Sequence, residues 1–282
     1  MITVESSGYF TTIQDSGRAG YRHLGVPVAG PMDRMAFDLA INTLPFYDDT
    51  CIFECTLIGP RLHLRKALRF VVTGATTSVL LNGVCVAMNK VHTAPDNSTL
   101  ELGRVQRGIR SYLRFEAVLD TPVVLGSKSF YTPVTPNNCI QKGDSFGVQL
   151  PLMLPTKNHE PITLDQDYID EGELNVTPGP DWAILSEGQQ TKLLEETHII
   201  EAQNRMGYRL SGTIQTDTNT LLSQLVLPGM VQLTPGGKLL VAMADCQVTG
   251  GYLQVLQLDS KALAGLSQQR EGTTIVFKIQ PT

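Results

Sequence analysis

Several things are scarce in this 282-residue chain, and each scarcity excludes something. Charged residues make up 17% of it and aromatics 6%, with a single Trp. Lys and Arg are dispersed except in Arg61–Arg69, where Arg61, Arg65, Lys66 and Arg69 cluster. No aromatic platform interleaves with that run, so it reads as a solvated face and nucleic-acid binding is not expected. The longest apolar run, Leu239–Ala244, is far short of the ~20 residues that a membrane helix needs. The opening Met-Ile-Thr-Val-Glu has neither a basic region nor an apolar signal core, so a cytoplasmic protein is expected. Five cysteines, Cys51, Cys55, Cys85, Cys139 and Cys246, are odd in number and fit no disulfide framework. Cys51 and Cys55 read as two buried thiols of one strand, and no histidine lies at metal-ligand spacing from them.

Catalytic signatures are equally sparse. There is no phosphate-binding P-loop. The nearest approach to a nucleophile elbow, Gly126-Ser127-Lys128-Ser129, lacks the second glycine. None of the five histidines forms an H-x-H or H-E-x-x-H pattern.

What remains is a β-forming chain with enough apolar residues (42%) for a large core and a net charge of −5. Period-2 or β-branched stretches recur at Thr11–Gln14, Ile52–Leu57, Arg69–Thr73, Ser78–Leu81, Val84–Ala87, Thr99–Leu102 and Ser111–Glu116. They continue at Leu174–Thr177, Met230–Leu233, Leu239–Ala244, Tyr252–Leu256 and Thr274–Lys278. Asn82-Gly83 between V-L-L and V-C-V is a hairpin signal. Helices are expected over Asp33–Leu44, behind Pro31; over Leu185–Glu196, with Ser186 and Gln189 at capping-box spacing; and over Ser260–Leu266. The fold class is therefore all-β, β-dominated with a few short helices. Pro151–Gly172 is polar and aperiodic, which suggests an N-terminal β domain over 1–155, a linker over 156–172 and a C-terminal β domain over 173–282.

Chemistry concentrates in three segments. Gly8–Asp33 packs five glycines, two prolines, Asp15, Arg18, Arg22 and Asp33 into one stretch. Such a loop either joins strands or brings backbone and arginines close to an anion. Asn204–Arg209 places hydrogen-bonding side chains around Gly207; a strand over 206–210 would put Asn204 and Arg205 at its mouth, with Tyr208 on the face of Met206. Ala242–Tyr252 is an apolar strand that acquires Asp245 near its end and then turns on Gly250-Gly251. An acid so placed is either paired with an arginine or free to act as a base.

These segments together resemble the biotin-dependent carboxyltransferase family, which includes allophanate hydrolase subunit 2 and the C subunit of 5-oxoprolinase. The resemblance rests on T-T-I-Q-D-S-G-R-A-G-Y-R-H-L-G-V-P-V-A-G-P-M-D (11–33), F-E-C-T-L-I-G-P (53–60), V-T-G-A (72–75), G-I-R-S-Y-L (108–113), V-L-G-S-K-S (124–129) and K-G-D (142–144). It runs on through P-G-P-D-W (178–182), N-R-M-G-Y-R-L-S-G (204–212), L-P-G-M-V-Q-L-T-P-G-G (227–237) and M-A-D-C-Q-V-T-G-G-Y (243–252). Two stretches depart from the family pattern. Arg114-Phe115-Glu116-Ala117-Val118 stands where members carry a small, glycine-ending sequence, and Phe130–Ile140 lacks the usual glycine-rich G-G-x-x-G-R.

The resemblance implies a β-rich fold of cyclophilin-like barrel character. It implies an enzyme subunit: a component of an ATP-dependent 5-oxoprolinase that opens the lactam of 5-oxoproline to glutamate, acting with a paralogous β subunit and a third subunit. It leaves two alternatives, carboxyl transfer from carboxybiotin to urea or a similar amide, and a non-catalytic partner that antagonises a protein inhibitor of a sporulation kinase. No cofactor is expected to bind this chain itself, ATP being used by the complex. Within the matched motifs Arg18, Arg22, Arg110 and Arg205 are anion-binding candidates, and Asp15, Asp33 and Asp245 are acid, base or orienting candidates. Gln14, Tyr112, Asn204, Tyr208 and Thr249 are neutral hydrogen-bonding candidates, and no metal is expected.

Overall fold

The computed structural model of the chain describes residues 1–46, 49–150, 166–215 and 222–280. It divides into two compact units, one made of 1–18 with 29–166 and the other of 19–28 with 167–282. Residues 156–165 of the expected linker lie outside the described residues.

The first unit is a ten-stranded sheet built on two long antiparallel strands, Leu68–Leu81 and Ser98–Phe115. Each of these joins two of the stretches read separately in the sequence. Their register steps near Gly74, Thr76 and Thr77, and these bulges break the alternation that would have shown one continuous strand. Gly74 has φ +82°, and a Cβ there would lie 2.6 Å from the Arg110 carbonyl oxygen, so the two strands approach only with glycine. Asn82 and Gly83 both have positive φ and join Leu81 to Val84 as a two-residue hairpin.

The strand Ile52–Thr56 lies between Phe10–Gln14 and Ser98–Phe115. Phe53 and Cys55 enter a core with Ile13, Leu113 and Phe115, where Phe53 meets Phe115 and Phe146 edge-on. Ile52, on the opposite face, packs under helix α1 (Arg34–Thr43) with Ala36, Phe37 and Leu44. Both faces are therefore covered. Asp33 caps α1, accepting a hydrogen bond from the Ala36 N–H at 3.0 Å.

The second unit contains a closed seven-stranded barrel. Its ring runs Glu173–Pro178, Leu253–Leu258, Met230–Leu233, Leu239–Ala242, Gly207–Leu210, His198–Gln203 and Thr274–Ile279, closing by a parallel pairing of the last with the first. Alternating residues such as Leu174, Val176, Tyr208, Leu210, Ile275 and Phe277 are buried. Helix α2 (Glu187–Glu195) opens with the expected capping box between Ser186 and Gln189. Helix α3 (Ser260–Ser267) is capped by Asp259, which accepts from the Ala262 N–H at 2.7 Å. A two-stranded ribbon, Gln224–Leu225 with Thr249–Gly250, completes the described sheets. The β-dominated class and the barrel agree with the sequence reading, and among the described residues no helix is long and apolar enough to cross a membrane.

One local reading is corrected. Met206 is 51% exposed and precedes the strand that begins at Gly207, whereas Tyr208 is fully buried, so the two do not share a face.

Candidate functional site

The candidate residues divide between the two units. In the first, Asp15 follows directly on the strand Phe10–Gln14 and is met by the segment 127–129. Its carboxylate accepts from Ser127 Oγ at 2.6 Å, the Lys128 N–H at 2.6 Å, Ser129 Oγ at 2.7 Å and the Gly17 N–H at 2.8 Å. Burial by itself would raise its pKa, but these hydrogen bonds to the charged form outweigh it and hold the carboxyl below its usual range. Gly30, at φ +86°, passes so close that a Cβ would sit 3.3 Å from the Asp15 carbonyl oxygen. Arg18, 1% exposed, donates through Nη2 to the Ser129 carbonyl oxygen. Gln14 donates to Thr12 Oγ1 at 3.0 Å, and its buried Oε1 has no donor among the described residues. Lys128 itself is committed, with Nζ 2.7 Å from Asp49 Oδ2.

A second polar cluster in this unit lies under the start of α1. Tyr112 accepts from the Asp33 N–H at 2.7 Å and donates to Glu54 Oε2 at 2.9 Å, which also accepts from the Met32 N–H at 2.8 Å. Burial, then the charges of Glu54 and Asp33, pushes the Tyr112 phenol well above its ordinary pKa, with Arg110 acting in the opposite direction. Asp33, Glu54, Arg110 and Tyr112 are all buried. Glu54 was missed from the sequence, although an acid amid I-F-E-C-T was a usable signal: its site is dry and needs two donors. Ser127 and Ser129 carry no sequence signal for this role beyond the incomplete nucleophile elbow G-S-K-S.

The stretch Arg114–Val118, one of the two that differ from the expected motif pattern, has a structural use here. Arg114 is fully buried and donates to the Leu44 carbonyl at 2.8 Å and the Phe46 carbonyl at 2.6 Å, at the C-terminal end of α1. Glu116 pairs with Arg69, both carboxylate oxygens lying 3.0 Å from Nη1. The other departing stretch is stitched to the strand Phe10–Gln14 at both ends, by Phe130 N–H to Ile13 O and Ile140 N–H to Thr11 O, each at 2.9 Å.

In the second unit, Arg22, His23, Gly25, Leu225, Val248 and Thr249 line a pocket of about 340 Å³. Arg22 Nη2 donates to the Val226 carbonyl oxygen, which tethers one end of the guanidinium. Its Nε is buried and has no hydrogen-bond partner among the described residues. Cys246 lies close by, its thiol pushed up to about 11 by burial against the lowering influence of Arg22. Asn204 Oδ1 accepts from the Met206 and Gly207 N–H groups at 2.8 and 3.0 Å and shapes the turn into the strand Gly207–Leu210. Arg205 forms a two-pronged ion pair with Asp245. Tyr208 is buried, its hydroxyl 3.5 Å from the Ser267 carbonyl oxygen. Of the candidates in this unit, the pocket gathers Arg22 and Thr249. No group of His, Cys, Asp and Glu among the described residues is arranged to hold a metal.

Known proteins similar to this chain identify its family. The carboxyltransferase domain, subdomain A and B, family matches residues 24–279. The chain is 30% identical over 281 residues to the 5-oxoprolinase C subunit of Escherichia coli, covering 98% of this chain and 90% of that protein. It is 36% identical over 132 residues to urea amidolyase of Saccharomyces cerevisiae, covering 46% of this chain and 7% of that protein. A crystal structure of the protein TTHA0988 superposes with a TM-score of 0.88 at 25% identity over 98% of this chain; the chain spans only 55% of that solved one. A match over most of the length settles the relationship: this chain belongs to the carboxyltransferase domain, subdomain A and B, family.

Proposed function

We propose that this chain is a subunit of an ATP-dependent 5-oxoprolinase, which opens the lactam of 5-oxoproline to glutamate together with a paralogous β subunit and a third subunit. The observation that carries this reading is the 30% sequence identity to the C subunit of 5-oxoprolinase over 98% of this chain and 90% of that protein; urea amidolyase shares the fold over 98% of this chain, but its sequence match spans 46% of it. The pocket is consistent with it. A small cyclic amide that bears one carboxylate suits a cavity of about 340 Å³ with Leu225 and Val248 on its walls and the Arg22 side chain lining it. The chemistry explains the ATP: an unactivated lactam carbonyl oxygen becomes a leaving group when phosphorylated. This chain has no P-loop and does not bind ATP by that route; in this reading the nucleotide is used by the complex. The part of Arg22 is then to bind and orient the substrate carboxylate, and Val226 O holds the guanidinium in place while it does so.

The second reading, carboxyl transfer from carboxybiotin, is favoured by the higher identity over the shorter urea amidolyase match. Its carboxylate would fit the same Arg22 donor; bound there, carboxybiotin would supply an activated carboxyl group.

The test is to co-purify the chain with its neighbouring β subunit and the third component, and to measure ATP-dependent glutamate release from 5-oxoproline. A folded complex with no turnover above background rejects the first reading; turnover that requires urea and a biotinylated partner establishes the second. Arg22→Ala is expected to raise KM for 5-oxoproline about 10- to 100-fold, the loss of a charge-assisted hydrogen bond. Arg22→Lys should recover only part of this, since a lysine lacks the planar fork.

A further inference from the structure

The wall of the Arg22 pocket is not part of the barrel. Leu225 and Thr249 face each other across the two-stranded ribbon, and Val248 precedes it. A ribbon with two residues on each side has little stability of its own, so something else must hold it.

The holding groups are side chains of the barrel and of the P-G-P-D-W segment. Gln232 and Gln254 are register partners on neighbouring strands and are 1% and 2% exposed, an unusual place for two amides. Gln254 Nε2 donates to the Leu225 carbonyl at 2.9 Å. Gln247 Nε2 donates to Gln232 Oε1 at 3.1 Å, and a Cβ on Gly250 would lie 3.2 Å from Gln232 Nε2, so the ribbon rests directly on these amides.

Asp181 organises one side of this contact. It is 8% exposed, in the sharp turn that follows the strand Glu173–Pro178. Its backbone N–H donates to the Gln254 carbonyl at 3.0 Å, and its Oδ2 accepts from the Gln254 N–H at 2.8 Å. The same oxygen accepts from Gln224 Nε2, at 3.3 Å, so one carboxylate holds a barrel strand and the ribbon together. The path continues to the pocket. Val226 N–H donates to the Val248 carbonyl at 2.9 Å, and the Val226 carbonyl accepts from Arg22. Asp181 does not line the pocket.

We propose that Asp181 is a positioning residue: through Gln224 and Gln254 it places the Leu225–Thr249 wall and, through Val226 O, the Arg22 guanidinium. Its effect on catalysis rests on the proposed binding of the substrate carboxylate in this pocket; its hold on the ribbon does not. The experiment therefore has two arms. In the purified full chain, Asp181→Ala should speed hydrogen exchange about tenfold at residues 224–226 and 248–250, while the barrel strands Leu239–Ala242 and Thr274–Ile279 keep their protection. Uniformly faster exchange, or none, overturns the proposal. In the assembled complex, KM for 5-oxoproline should rise about tenfold with kcat nearly unchanged, Asp181→Asn should recover part of it, and the effect should vanish in an Arg22→Ala background. An additive double variant, or an unchanged KM beside loosened exchange, also overturns it. If the wild-type complex does not turn over 5-oxoproline, the functional reading fails while the exchange arm decides the role of Asp181 alone. Gln224→Leu, which removes the ribbon's own bond to the Asp181 carboxylate and leaves Asp181 in place, gives the same exchange test if Asp181→Ala does not fold.

Discussion

Asp245 accepts two hydrogen bonds from Arg205, from Nε at 2.7 Å and Nη2 at 2.9 Å, and its own backbone N–H donates to the Arg205 carbonyl at 2.8 Å. The pair is nearly dry, with the side chains 10% and 9% exposed. Two family motifs that are distant in the chain are joined by it. The sequence left Asp245 either paired or free to act as a base; the geometry gives it a partner.

Removing one member of such a pair strands a buried charge. Asp245→Ala or Arg205→Ala is expected to cost ~3–5 kcal/mol of stability, read as a shift in the urea midpoint. The double change Arg205→Met with Asp245→Leu should cost less than either single variant. A midpoint unmoved by Asp245→Ala would mean that the pair does not hold the two motifs together.

Asp15 predicts an acid limb of stability. Its folded pKa is depressed and its unfolded value is about 3.9, so its contribution is full above the unfolded value and is lost as the pH falls through the folded one. Asp15→Asn should lower stability at pH 7 and flatten the fall below about pH 4. Equal slopes in the two proteins between pH 2 and 5 would remove Asp15 as the cause.

Tyr112 makes the opposite prediction at the alkaline end. Its folded pKa is raised, so its contribution is present below the unfolded value of about 10 and is lost as the pH rises toward the folded one. Absorbance titration should leave this phenol neutral until the chain unfolds. Tyr112→Phe leaves the Asp33 N–H without its acceptor and should cost ~1–3 kcal/mol; a loss below about 0.5 kcal/mol would show that the hydroxyl bridge contributes less than a usual hydrogen bond.

The cysteines should sort by burial. Cys85 is exposed and Cys139 half-buried, whereas Cys51, Cys55 and Cys246 are buried, with burial raising all three thiols. A thiol reagent such as DTNB should label Cys85 first and the buried three only on unfolding. Fast native labelling of Cys55 would contradict the packing of its strand.

The β class, the helix starts and the hairpin at Asn82-Gly83 are legible along the chain, because they follow from local periodicity and from side chains that bond to nearby backbone. Asp33, Ser186 and Asp259 cap helices through residues three positions away, and such contacts can be read along the chain. The motifs also carried the family. What the sequence could not reveal was which motif meets which. Only the tertiary structure puts Asp15 against Ser127–Ser129, Tyr112 against Glu54 and Arg22 against Val226, and assigns residues 19–28 to the unit of 167–282. It also decided the two longest strands, whose bulges hide their continuity. The physical reason is common to all of these: a buried polar group needs a partner, and nothing in the residues beside it says from how far along the chain that partner will come.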